Sequence, residues 1–124
     1  PSHLADSLEL FFDANNDKAD TYGSDDKQIR IDLYGQLYDC QLRRLMTEGQ
    51  SKITMTDFGY IAEIAIPWSY INVNYGEGNS FGFDISINDN ITGSEERAGV
   101  IGWVGNSIGY RDTTGFGNAY IISK

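Results

Sequence analysis

The sequence predicts an all-β chain, an antiparallel β-sandwich of jelly-roll type, and three observations carry that prediction. Fourteen glycines and only two prolines punctuate 124 residues. Runs rich in Ile, Phe and Tyr alternate apolar and polar positions in steps of two, and helical periodicity is weak throughout. A period of two sends successive side chains to opposite faces, so each run can bury one face and wet the other.

The elements follow in chain order. In LELFFD, Leu8, Leu10 and Phe12 point one way and Glu9, Phe11 and Asp13 the other. In KQIRIDL, Ile29, Ile31 and Leu33 form the inner face and Gln28, Arg30 and Asp32 the outer one. YDCQLRRLM and KITMTDF are expected to pair with each other. YIAEIAIPW is apolar on both faces apart from Glu63, as a central strand ending at Pro67 should be, and PWSYIN has room for one helical turn. FGFDISIND sets Phe81, Phe83, Ile85 and Ile87 against Asp84, Ser86 and Asn88. GVIGWV and NAYIIS supply two more strands, and Trp68 and Trp103 read as core or inter-sheet packing. No repeat, low-complexity segment or linker interrupts this pattern, so residues 1–124 are read as one sandwich domain.

Composition narrows the function. A net charge of −9, from nine Lys and Arg against eighteen acids, disfavours phosphate backbones and anionic membranes as partners. Neutral ligands and divalent cations remain. Cys40 is the one cysteine, which excludes an internal disulfide, a thiolate zinc cluster and a CxxC redox pair. No apolar run approaches the roughly 20 residues of a membrane span. A signal peptide, if the protein is exported, lies outside this chain.

Catalytic signatures are scarce. A single His3 stands at a chain end, and there is no GxSxG elbow, Cys–His partnership or phosphate-cradling glycine loop. Eighteen acids leave two-carboxylate glycoside hydrolysis open in principle, but no pair is singled out by its strand context. The chain is therefore expected to do no covalent chemistry.

The loop between the first two strands is crowded with Asp13, Asn15, Asn16, Asp17, Asp20, Asp25 and Asp26, hard oxygen donors of the kind calcium gathers. Its D-x-N-x-D start imitates an EF-hand but has Lys18 where the turn glycine belongs and Ser24 where the bidentate glutamate belongs. The alternative is a solvated loop. Glu9 and Arg30 sit mid-strand on polar-facing positions, either to reach a ligand or to form an ordinary cross-strand ion pair. Tyr110, in the glycine-rich NSIGYRDTTGFG, has no apolar strand around it to demand burial.

The collinear segments DSLELFFDANNDK, DDKQIRIDL, GYIAEIAIPW, FGFDISINDN, RAGVIGW and YRDTTGFGNAYIIS resemble carbohydrate-binding module family 9, whose modules accompany xylanases and other bacterial polysaccharide-active enzymes. The resemblance runs from about Asp6 to the C-terminus. It implies a non-catalytic β-sandwich with structural calcium that grips glucose or xylose units of plant polysaccharides, typically at the reducing end, in a secreted, periplasmic or cell-surface setting. It assigns calcium to Asp13, Asn16, the Lys18 carbonyl and Asp25. Glu9 and Arg30 fall on positions that hydrogen-bond sugar hydroxyls, and Asn106 lies near a third, with one residue deleted between Trp103 and Tyr110.

Two departures stand out. Family members clamp the sugar between two tryptophans, and the corresponding residues here are His3 and Tyr110. The family's module also carries strands N-terminal to this motif, so the resemblance implies a sandwich incomplete on that side, a fragment of a longer module or one whose open edge a parent enzyme or second chain covers. Two rival functions follow. One is a heme-binding sandwich of a related fold, with Met46, Met55 or His3 as axial ligands. The other is a protein-interaction or adhesion sandwich with a vestigial sugar site.

Overall fold

The computed structural model describes residues 6–89, 99–104 and 112–122. Nine strands form in chain order among them: β1 Ser7–Asp13, β2 Asp26–Asp32, β3 Leu37–Asp39, β4 Arg44–Leu45, β5 Gln50–Met55, β6 Tyr60–Ala65, β7 Ser80–Asp89, β8 Gly99–Gly102 and β9 Gly117–Tyr120. A seven-stranded sheet runs in the order β4-β3-β2-β1-β7-β8, with β9 also paired to β7, and β5 and β6 form a second, two-stranded sheet. Every pairing is antiparallel. The chain is all-β and packs as a β-sandwich.

The predicted parity of the first strands holds. Leu8 lies opposite Ile31 and Ile87, and Leu10 opposite Ile29 and Ile85, so one face of the large sheet is apolar. Leu8, Leu10, Phe12, Ile29, Ile31 and Phe81 join one buried core, against which Ile53, Ala62 and Ile64 of the small sheet pack. Each fully buried Leu, Ile or Phe of such a core contributes about 1.5–3 kcal/mol.

Four expectations are corrected. YDCQLRRLM does not pair with KITMTDF: it folds on itself as the β3–β4 hairpin, while β5 pairs with β6. The Asp39 carboxylate drives that turn by accepting the N–H groups of Gln41 and Leu42, both at 2.9 Å, the Asx-type capping that aspartate favours. Nor is β6 a central strand, because it has one partner among the described strands and Ile61 on its outer face is 56% exposed. PWSYIN forms turns rather than a helix, closed by bonds from Tyr70 N–H to the Pro67 carbonyl and from Val73 N–H to the Trp68 carbonyl. The strand expected to be half-buried, β1, is buried along its whole length, since it is central in the sheet and covered on both faces.

Two strands cannot cover the inner face of a much wider sheet. An apolar cleft of about 1120 Å³ opens between the sheets, lined by Leu10, Phe12, Ile64, Trp68, Phe81 and Phe83 among others. Trp68 stands edge-on to Phe81, and Trp103 is tilted against Phe83. Both tryptophans therefore pack on the inner face while remaining 41% and 58% exposed.

Candidate functional site

The outer face of the large sheet carries the polar chemistry. Strand pairing places Tyr38, Arg30, Glu9 and Ser86 in one row across β3, β2, β1 and β7. Arg30 Nε donates to Glu9 Oε1 at 3.1 Å, and the two side chains are only 16% and 10% exposed. The Ser86 hydroxyl reaches Glu9 Oε2 at a long 3.4 Å, close to the limit at which a hydrogen bond has strength. A carboxylate accepts at about four lone-pair sites and a guanidinium offers five N–H donors. A sugar hydroxyl, which both donates and accepts, is therefore a suitable guest for this row. Outward parity puts Ser86 on the polar face, but only strand pairing sets Ser86 beside Glu9 and Tyr38 beside Arg30.

Two further groups border the row. Burial pushes the Cys40 thiol up, Arg30 opposes this, and Glu9 and Asp39 add to it, so Cys40 is a protonated neighbour rather than a nucleophile. Tyr22 is held neutral far above its usual range, first by burial and then by Asp26, Cys40, Glu9 and Asp112. His3, Asn106 and Tyr110 lie outside the described residues.

Four residues further along the same two strands, Asp13 stands opposite Asp26 on β2 and Gly82 on β7. Carboxylate oxygens of Asp13, Asp17, Asp25 and Asp26 lie within 4.8 Å of one another. The Asp13 carboxylate organises the loop, accepting the Asp17 N–H at 3.2 Å and the Lys18 N–H at 2.9 Å. Asn16 and Lys18 take left-handed backbone at φ 58° and 54°, a conformation that costs a lysine about 1–2 kcal/mol. Gly82 is required here, because a Cβ on it would sit 2.7 Å from Asp13 Cβ.

Oxygens are left over in this cluster. Asp26 is 2% exposed; its Oδ2 accepts the Gly23 N–H at 2.6 Å, but Oδ1 has no hydrogen-bond partner among the described residues. The same holds for Asp25 Oδ2 and Asn16 Oδ1, and Asn16 Nδ2 is engaged with Ser80 Oγ and Asn118 Oδ1. Burial pushes the Asp26 carboxyl up to about 6; the Gly23 N–H opposes this, and Asp25, Asp13 and Asp17 add to it. Converging carboxylates, two of them buried and two with an unpartnered oxygen, fit a hard divalent cation, which takes six to eight oxygens at about 2.3–2.6 Å.

Of the oxygen donors expected from the sequence, Asp13 and Asp25 fall in this cluster, Asn16 borders it, and Lys18 turns its side chain away to donate to the Gly117 carbonyl at 3.0 Å. Asp17 and Asp26 join it as well. The methionines proposed as axial ligands are in unlike places: Met46 packs against the core, whereas Met55 on β5 is 64% exposed.

Comparisons with known proteins bear on these sites. The family described as "Carbohydrate family 9 binding domain-like" matches residues 2–124. The chain is 35% identical over 127 residues to endo-1,4-beta-xylanase C of Paenibacillus barcinonensis, covering 99% of this chain and 11% of that protein. To exoglucanase XynX of Acetivibrio thermocellus it is 38% identical over 122 residues, covering 96% of this chain and again 11% of the relative. It thus spans about a tenth of the length of these relatives. Among solved structures, a carbohydrate binding module family 9 from Caldicellulosiruptor kristjanssonii in complex with cellotriose superposes with a TM-score of 0.85 at 22% identity, over 99% of this chain and 60% of that one. The same kind of module from that organism in complex with glucose gives 0.77 at 22% identity, over 99% and 62%.

Proposed function

The chain belongs to the carbohydrate family 9 binding domain-like family, and from that premise we propose that the Glu9–Arg30 row is its sugar-binding site. As a member of that family it is a carbohydrate-binding module, a non-catalytic accessory domain of the sort carried by xylanases. The observation that carries the proposal is the pairing of opposite charges at 3.1 Å in the middle of a sheet face, with a serine and a tyrosine in the same row. The ligands are glucose and xylose units of plant-type polysaccharides, as the glucose and cellotriose bound by the structural neighbours and the xylanase relatives suggest.

In this reading Arg30 donates to ring hydroxyls and Glu9 accepts from them, as charge-assisted hydrogen bonds worth about 1.5–3 kcal/mol each. Tyr110 supplies an apolar platform, His3 closes the opposite side weakly, and Asn106 adds a polar contact. Recognition of the reducing end and a secreted or surface location are part of the proposal. Calcium is its structural partner: Asp13, Asp17, Asp25 and Asp26 would hold it, with Asn16 Oδ1 and the Lys18 carbonyl as further oxygens, and it would neutralise the loop's repulsion. A parent enzyme or second chain is proposed over the apolar cleft.

Isothermal titration with glucose, xylose, cellobiose and xylobiose in calcium tests the reading. Binding of at least one sugar, lost in Arg30→Ala, is the expected result. Absence of binding to all four, persisting after His3→Trp and Tyr110→Trp together, would show the row to be vestigial. The cleft then favours the protein-interaction reading.

A further inference from the structure

The cation loop and the sugar row are built on the same two strands. Asp13 and Glu9 share the outer face of β1, and Asp26 and Arg30 that of β2. Four residues of extended strand put the two rows about 13 Å apart. Phe11 lies between them, and Phe116 packs on it with ring centroids 5.8 Å apart. Phe116 is 5% exposed and belongs to the segment 112–118, which crosses the outer face at Phe116 and then enters β9.

The loop clasps that segment at three places. Asn16 Nδ2 donates to Asn118 Oδ1 at 3.2 Å, and Lys18 Nζ donates to the Gly117 carbonyl at 3.0 Å. The Ala19 carbonyl accepts both the N–H and the hydroxyl of the fully buried Thr113, at 2.9 and 3.2 Å. Residues 16–19 reach these positions only while the loop stays wound around the Asp13 carboxylate, in a backbone that is left-handed at two non-glycine residues. Converging carboxylates oppose that winding, and the unpartnered, buried Asp26 Oδ1 marks where a cation would relieve them.

The geometry points to a thermodynamic linkage: cation binding in the aspartate loop and sugar binding at the Glu9–Arg30 row strengthen each other through the 112–118 segment. This rests on reading the loop as a cation site and the row as a sugar site. A ligand shifts an equilibrium only by its differential affinity for the two states, and here the difference has a physical source. With the loop wound, the clasped segment holds Phe116 on Phe11, two residues along β1 from Glu9, and this wall keeps water from the ion pair. With the loop sprung, that wall withdraws, the pair is hydrated, and sugar hydroxyls compete with water for the same groups.

Calorimetry with calcium chloride and glucose on the whole chain tests this. Glucose should bind at least about fivefold more tightly to calcium-loaded than to EDTA-treated protein, and saturating glucose should tighten calcium by the same factor, since linkage is reciprocal. Calcium should also slow hydrogen exchange at the Thr113 amide. Thr113→Val, which removes the hydroxyl bond, and Phe116→Leu, which thins the wall, should each shrink the factor while calcium affinity measured without glucose stays within about twofold. If both ligands bind with no mutual effect, the linkage is wrong and both site assignments survive. If calcium does not bind, the cation reading falls and takes the linkage with it. If calcium binds and glucose binds in neither state, the sugar reading falls instead, and the linkage with it.

Discussion

Arg30→Ala probes the row most sharply, because its effects on stability and on binding separate. Glu9 is 7% exposed, and once Arg30 is truncated its hydrogen bond from Ser86, at 3.4 Å, is a weak remaining contact. Leaving one partner of a buried ion pair uncompensated costs about 3–5 kcal/mol. In a domain of 124 residues that corresponds to a fall of roughly 10–20 °C in Tm. Glu9→Ala made alone should also destabilise the fold, because it removes the carboxylate that pairs with a largely buried guanidinium. Making both changes removes both charges, so the double variant should recover much of the loss, as replacement of a whole buried pair often does. Sugar binding should follow a different rule: each single variant and the double variant should all lose it, because the lost contacts are those made to hydroxyls. Urea unfolding in calcium and calorimetry with glucose and cellotriose measure the two quantities on the same proteins. A double variant that binds sugar like wild type would refute the role of the row, and an Arg30→Ala cost below about 1 kcal/mol, the level of an exposed pair, would refute its burial.

Other outcomes are equally concrete. EDTA should lower Tm and calcium at 100 times its dissociation constant should restore about 2.7 kcal/mol; a melt indifferent to both would remove the cation from the loop. Gly82→Ala should weaken calcium binding by displacing the Asp13 side chain from the cluster, and calcium titration at wild-type affinity would contradict this. At low pH the chain should lose stability through Asp39. Burial alone would push that carboxyl up, but hydrogen bonds from Tyr70, Leu42 and Lys27 outweigh it and hold it below its usual range. Its contribution is therefore present above the unfolded pKa and lost as pH falls through the folded one. Asp39→Asn should flatten that acid limb, and an unchanged limb in urea melts across pH would count against it. Tyr110→Trp and His3→Trp should tighten sugar binding, read by the same calorimetry.

The parts of this fold legible in the sequence are those whose neighbours are also strands of strict alternation. Leu8, Leu10 and Phe12 face the core because Ile29, Ile31, Ile85 and Ile87 carry the same period, and the agreement is visible without knowing the pairing. The β3–β4 hairpin escaped because strands of three and two residues are too short for a period to register, and its turn is organised by an aspartate that a linear reading counts merely as polar. YIAEIAIPW misled because apolar residues on both faces signal two-sided burial, a matter of what lies outside the strand. The partnership of Glu9 with Arg30 could be guessed from outward parity, but Ser86 needed the long-range pairing of β1 with β7. Of the converging aspartates, Asp13 and Asp25 could be named from the resemblance, but Asp26 and Asp17 could not: Asp26 meets Asp13 through strand register, and Asp17 through a loop that bends back on its own first carboxylate.

The inner cleft and the outer row are the two sides of one sheet, and β1 is the partition between them. Leu10 and Phe12 look into the cleft while Glu9 looks out from the other side. Whatever polypeptide occupies the cleft is therefore excluded from the row by the thickness of a sheet, and a tether anchored there would hold the module with its reading surface turned away from its own cargo. Crowding on one side need not shade the other. An accessory domain carried by a large enzyme would, in this arrangement, meet polymer from its outer side while its back stays engaged.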